Sequence, residues 1–83
     1  MIYELSDHAR TVIAERGIPL AWIERVLQAP GLVQDDREDP ELEHRLGAIN
    51  EHGGRVLRVI INKTTSPVRV VTAFFDRGMR NRL

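Results

Sequence analysis

The residues of this 83-residue chain that could carry chemistry are an imidazole near the start and guanidinium groups spread along its length. His8 opens the segment SDHARTVIAERGIP, and Arg16 stands near its end, in line with the apolar residues. Arg45 and Arg58 sit inside the apolar runs LEHRLGAIN and RVLRVIIN, and Arg77, Arg80 and Arg82 belong to the terminal RGMRNRL. Histidine titrates near neutrality and can take or give a proton; arginine stays protonated and acts as fixed positive charge. Together they suit recognition of a phosphate or carboxylate and proton transfer beside it. Each also has a structural reading. His8 can bond a helix start, Arg16 can lay its stem on the apolar stripe and cap carbonyls, and Arg45 and Arg58 can pair across strands with acids such as Glu43.

The charge balance limits the choice of partner. Twelve basic and twelve acidic residues cancel, so the simplest electrostatic argument for nucleic acid is missing. The distribution is uneven: DDREDPELE (Asp35–Glu43) holds six carboxylates around Arg37, while the terminal RGMRNRL carries three arginines and no acid. Lys63 is the sole lysine among the twelve cationic side chains. No cysteine is present, which removes disulfides and thiolate metal sites. His44 and His52 have no metal-ligand spacing with the nearby acids, so neither a metal nor a cofactor is expected. No apolar run is long enough to span a bilayer and the start lacks signal-peptide order, so the reading is a cytoplasmic protein with no membrane partner.

The elements that must position these groups follow from periodicity. Ser6 is a good N-cap and Gly17 a good terminator for a helix over 7–16, with Leu5, Ala9, Val12, Ile13 and Arg16 on one stripe. Pro19 suits the entry of a second helix burying Trp22, Ile23, Val26 and Leu27, which Ala29-Pro30-Gly31 stops. Short strands are expected at Leu32–Gln34, Leu42–Asn50, Arg55–Asn62 and Val68–Asp76. The predicted fold is a single α+β domain over 1–83, with two N-terminal helices on one face of a three- to four-stranded, mainly antiparallel sheet, and a basic tail over 77–83. Taking EHGG as the hairpin connection sets Asn50 opposite Arg55. Arg45, Gly47 and Arg58 then share one face, with nothing above the glycine, while Leu46, Ala48, Leu57, Val59 and Ile61 take the helices. Whether Thr72 or Ala73 faces Arg58 is left open by the loop before the last strand. Trp22, Phe74 and Phe75 read as core residues before they read as base-stacking platforms.

The motifs HARTVIAERGI, IERVLQAP, GGRVLRV and VVTAFF, in this order, resemble the bacterial domain-of-unknown-function family numbered forty-two fifty-eight, from about Ser6 to Phe75. That family is grouped by fold with RelE-, ParE- and BrnT-type toxins of the barnase–colicin–RelE-like class. The resemblance implies a RelE-like fold and, in active relatives, metal-independent RNA cleavage. It assigns the site by position to His8, Arg16, Arg58 and Thr72. Members often carry a further arginine four residues after the histidine, where this chain has Val12, and Arg10 lies on another side of the helix.

Cleavage of that kind has the ribose 2′-OH attack the adjacent phosphorus, giving a 2′,3′-cyclic phosphate. It needs a base, an acid and cations for the phosphorane charge. The expected catalytic set is His8, Arg16, Arg45 and Arg58, with Thr72, Arg77, Arg80 and Arg82 as substrate contacts. RNA is the expected ligand, an acidic antitoxin-like protein the expected partner, and a homodimer through a strand edge a further expectation. The alternatives are a non-catalytic RNA- or protein-binding module and a structural partner subunit. The acidic loop folding toward the basic tail would mimic an antitoxin segment.

Overall fold

Ser6 marks the change from strand to helix, and its hydroxyl serves both. The computed structural model describes residues 1–83, beginning with strand β1 (Glu4–Leu5) and helix α1 (Asp7–Arg16). The Ser6 Oγ accepts from the Ala9 N–H at 3.0 Å, which caps the helix, and donates to the Val71 carbonyl at 3.1 Å. At the far end Gly17 takes a left-handed φ of 63°. Its N–H reaches the Ala14 carbonyl at 3.2 Å and the Ile18 N–H reaches that of Ile13 at 3.0 Å, the paired closure that a glycine terminator permits. Helix α2 (Leu20–Gln28) follows Pro19 and buries Ile23, Val26 and Leu27.

Four longer strands complete the sheet: β2 (Leu32–Asp35), β3 (Leu42–Ile49), β4 (Arg55–Asn62) and β5 (Arg69–Phe75). Their spatial order is β1-β5-β4-β3-β2; β1 runs parallel to β5 and every other pair is antiparallel. This corrects the expected architecture. A strand precedes the helices, which therefore lie between strands, and the sheet is five-stranded and mixed rather than a three- to four-stranded, mainly antiparallel one of RelE type. Two residues carry no periodicity, and β1 pairs with a strand 65 positions away, so nothing local announces it.

The hairpin register is also corrected. Ile49, not Asn50, stands opposite Arg55, and the connection runs through a 3₁₀ turn at Asn50–His52 and two left-handed glycines, Gly53 and Gly54. A slip of one residue reverses which residues of β3 share a face with those of β4. Ile49, Leu57, Val59, Ile61, Val70 and Ala73 therefore form the core with Ala9, Ile13, Ile18, Ile23, Val26 and Leu27. Gly47 lies on this covered face beneath α2, where an added Cβ would come within 3.0 Å of Val26 Cγ2. An irregularity in the β4–β5 pairing at Ile60/Ile61 sets the last strand, and Thr72 joins the face of Arg58, opposite Ile60.

His44, Leu46, Arg58, Ile60, Thr72 and Phe74 occupy the other face. Leu46 and Val56 point away from the helices yet are 0% and 1% exposed. The chain after β5 returns across this face: the Asp76 N–H bonds the Val56 carbonyl at 2.8 Å, a 3₁₀ turn at Arg77–Met79 packs on β4, and Leu83 ends beside Gly31. At the opposite edge, β5 outlasts β1. There the Ser6 hydroxyl covers the Val71 carbonyl and Arg16 Nη1 covers that of Ala73 at 2.7 Å, closing groups that would otherwise invite another strand. No helix is long and apolar enough to cross a membrane.

Candidate functional site

Arg58, mid-strand on β4, projects from the uncovered face into a network joining three separate segments. Its Nε donates to Asp76 Oδ2 at 2.9 Å, and its Nη2 lies 2.8 Å from the same oxygen as an ion pair. Its Nη1 donates to Gln34 Oε1 at 3.3 Å and to His44 Nδ1 at 2.7 Å. On the far side of the imidazole, His44 Nε2 meets Asp36 Oδ1 at 2.7 Å. A guanidinium can only donate, so His44 Nδ1 presents its lone pair, and Nε2 carries the proton bonded to Asp36. The ring is thereby held in one tautomer and one orientation.

Both flanking acids are fixed by backbone. Asp36 Oδ2 accepts from the N–H groups of Asp39 at 3.0 Å and Glu38 at 3.2 Å. The Asp39 N–H above all, then His44 and the Glu38 N–H, hold the Asp36 carboxyl below its ordinary value of 3.8 against an opposing desolvation cost. Asp76 Oδ1 accepts from the Gly78 N–H at 2.9 Å, capping the turn that begins the tail. One fixed cation thus stands between two carboxylates. The Arg58 and His44 side chains retain only 13% and 16% exposure. Beside them is a cleft of about 540 Å³ lined by Gln34, Asp35, Asp36, Arg37, Glu38, His44 and Arg58, without one apolar side chain.

The residues singled out from sequence do not converge. Arg58 and Thr72 share the uncovered face, two residues apart in register across β4 and β5. Arg45 lies on the opposite face, where its Nη1 donates to the Leu27 carbonyl at 2.8 Å and its Nε to Glu43 at 3.0 Å. It caps the end of α2. Arg16 closes the β5 edge. His8 is exposed on α1, which packs on the covered face, so the sheet stands between that helix and Arg58. Val12, at the position where an arginine was expected, is 6% exposed and part of the helix's buried side. Arg77, Arg80 and Arg82 are exposed along the returning tail. The acidic loop folds onto His44 rather than onto the basic tail.

Sequence reasoning missed Gln34, Asp36, His44 and Asp76. The usable signal was the paired glycine after Asn-Glu-His: a five-residue connection puts His44 and Arg58 on one face, and a four-residue one separates them. No three His, Asp or Glu side chains cluster in a way that would hold a metal ion.

The family described as Domain of unknown function (DUF4258) matches residues 5–75, and the chain belongs to it. No curated protein and no solved structure matches, so the likeness to RelE-, ParE- and BrnT-type toxins gains no support. Asp36, His44 and Arg58 fall inside the matched segment, and Asp76 falls just outside it.

Proposed function

We propose that the uncovered sheet face cleaves RNA without a metal ion, with His44 as the base and Arg58 as the phosphate-binding cation. The observation that carries this reading is the 2.7 Å contact between Arg58 Nη1 and His44 Nδ1 beside a wholly polar cleft. A phosphate drawing the guanidinium toward itself frees the Nδ1 lone pair. That nitrogen then takes the proton of the 2′-OH as the oxygen attacks phosphorus, while Asp36 holds the Nε2 proton and balances the imidazolium. The 2′,3′-cyclic phosphate forms, the bond to the 5′-oxygen breaks, and that oxygen leaves with a proton from solvent. Arg58 offsets the charge gathered on the phosphorane oxygens. Thr72 and the tail arginines extend the surface along the strand, and an RNA substrate is consistent with action in the cytoplasm. An acidic protein segment or a second copy on the same face would compete with RNA.

A second reading has its own support. The guanidinium of Arg58 is already engaged by Asp76, Gln34 and His44, which favours a binding module whose network holds the loop and the tail in place. One experiment separates them. Purified protein is incubated with single-stranded RNA in EDTA and the product ends are identified. Cyclic phosphate termini that disappear in both His44→Ala and Arg58→Gln support catalysis. Intact RNA at high concentrations of folded protein leaves the module reading.

A further inference from the structure

Arg58, the central cation of this face, is already occupied. The Nε and Nη2 edge of a guanidinium is the edge that grips a phosphate, and here it faces one oxygen of Asp76, with Nε donating at 2.9 Å and Nη2 in ion-pair contact at 2.8 Å. Asp76 is no ordinary cross-strand partner. It follows the last residue of β5, its other oxygen caps the Gly78 N–H, and its own N–H is bonded to the Val56 carbonyl. It is the hinge point from which the tail turns back over the sheet toward Gly31. The same eight-residue segment, Asp76–Leu83, carries Arg77, Arg80 and Arg82, all exposed.

We propose that this segment is a self-inhibitory strap, in which the Asp76 carboxylate holds the place of an RNA phosphate on Arg58. Resting on the reading of this face as an RNA site, it explains why the central cation of a neutral protein is covered by a carboxylate. An incoming phosphate exchanges with Asp76 on the Nε/Nη2 edge. With Asp76 released, the three arginines of the same segment, already exposed, stand beside the RNA backbone, so that release of the block and recruitment of positive charge are one event. Lifting the whole tail would expose Leu46 and Val56, so exchange at Asp76 with the remainder of the tail still seated is the smallest motion that opens the site.

The test uses the full chain with Asp76→Asn, which keeps the size and an acceptor for Gly78 but removes the competing charge. The probe is a fluorescent 2′-O-methyl oligoribonucleotide, which has no attacking hydroxyl. Because the substitution removes the carboxylate charge that competes with phosphate for Arg58 and leaves only a hydrogen-bond acceptor, binding should tighten about tenfold in Asp76→Asn. The gain should vanish in Arg58→Gln/Asp76→Asn. The variant Arg77→Gln/Arg80→Gln/Arg82→Gln, altered only at exposed positions, should bind the probe more weakly than the parent and lose part of the gain when combined with Asp76→Asn. Binding no tighter in a folded Asp76→Asn protein, or a gain that survives loss of Arg58, overturns the strap. Cleavage of unmodified RNA is read in parallel. A tightened probe with intact RNA retains the strap and removes the nuclease, whereas cleavage by the parent chain without tightening does the reverse.

Discussion

Arg45 and Arg58 sit on adjacent central strands, at 24% and 13% side-chain exposure, and serve opposite layers of the molecule. Arg45 takes its partners from its own strand, in Glu43 two residues earlier, and from the carbonyl at the end of the helix packed above it. Arg58 gathers partners from β2, β3 and the segment after β5. On the covered face a guanidinium completes the packing of a helix end. On the other face the same group ties β2 and β3 to the segment that returns after β5. Residue type does not separate the two roles; the source of the partners does.

Removing packing from each layer should separate the two faces most strongly. Leu57→Ala, at 0% exposure under the helices, should cost about 2–5 kcal/mol in urea unfolding. Ile60→Ala, half-buried on the other face, should cost about 1 kcal/mol; equal losses would show that both faces are packed alike. Next come the arginines. Arg58→Gln and Arg45→Gln should each lose about 1–3 kcal/mol of stability by leaving polar partners unmet. Only Arg58→Gln should also weaken oligonucleotide binding, and a matching loss in Arg45→Gln would contradict the assignment of the two faces. Gly47→Ala should cost about 1 kcal/mol, because the new methyl meets Val26 and α2 must shift.

The smallest effect belongs to the exposed pair Arg25–Glu51, where the guanidinium bonds both carboxylate oxygens at 2.9 and 2.7 Å. The Arg25 hydrogen bonds foremost, with a backbone bond, hold the Glu51 carboxyl at about 2 against an ordinary 4.5. A carboxyl lowered on folding contributes fully above its unfolded value, and the contribution fades as pH falls from 4.5 toward about 2. Glu51→Gln should flatten the stability profile in that window, its loss being largest at neutral pH, small there because solvent screens the pair, and gone near pH 2. A parent profile with no slope there would remove the pair from the account.

Local signals in the sequence were strong where the physics is local. Ser6 and Gly17 bound α1 at its observed limits because capping chemistry acts within a few residues. The three long strands are legible from their apolar runs. What escaped depends on distant or single-residue facts. β1 has no pattern at two residues, and the hairpin face assignment turns on whether Asn50 belongs to the strand or to the turn. Arg16, placed in the expected catalytic set, lies away from Arg58 with its guanidinium on a sheet-edge carbonyl rather than on a helix end. Asp36, His44 and Asp76 looked like ordinary loop and strand residues. Their meaning comes from Arg58, which is 14 positions from His44 and 18 from Asp76.

The two hydrogen bonds from Ser6 and Glu4 backbone to Val70 and Val68, with the hydroxyl bond to Val71, have a temporal consequence. Helix α1 leaves the ribosome ahead of the strand that receives it, which follows 65 residues later. Until then its apolar side has no seat on β5, so the helix must wait, exposed to chaperones and proteases, for that strand to arrive.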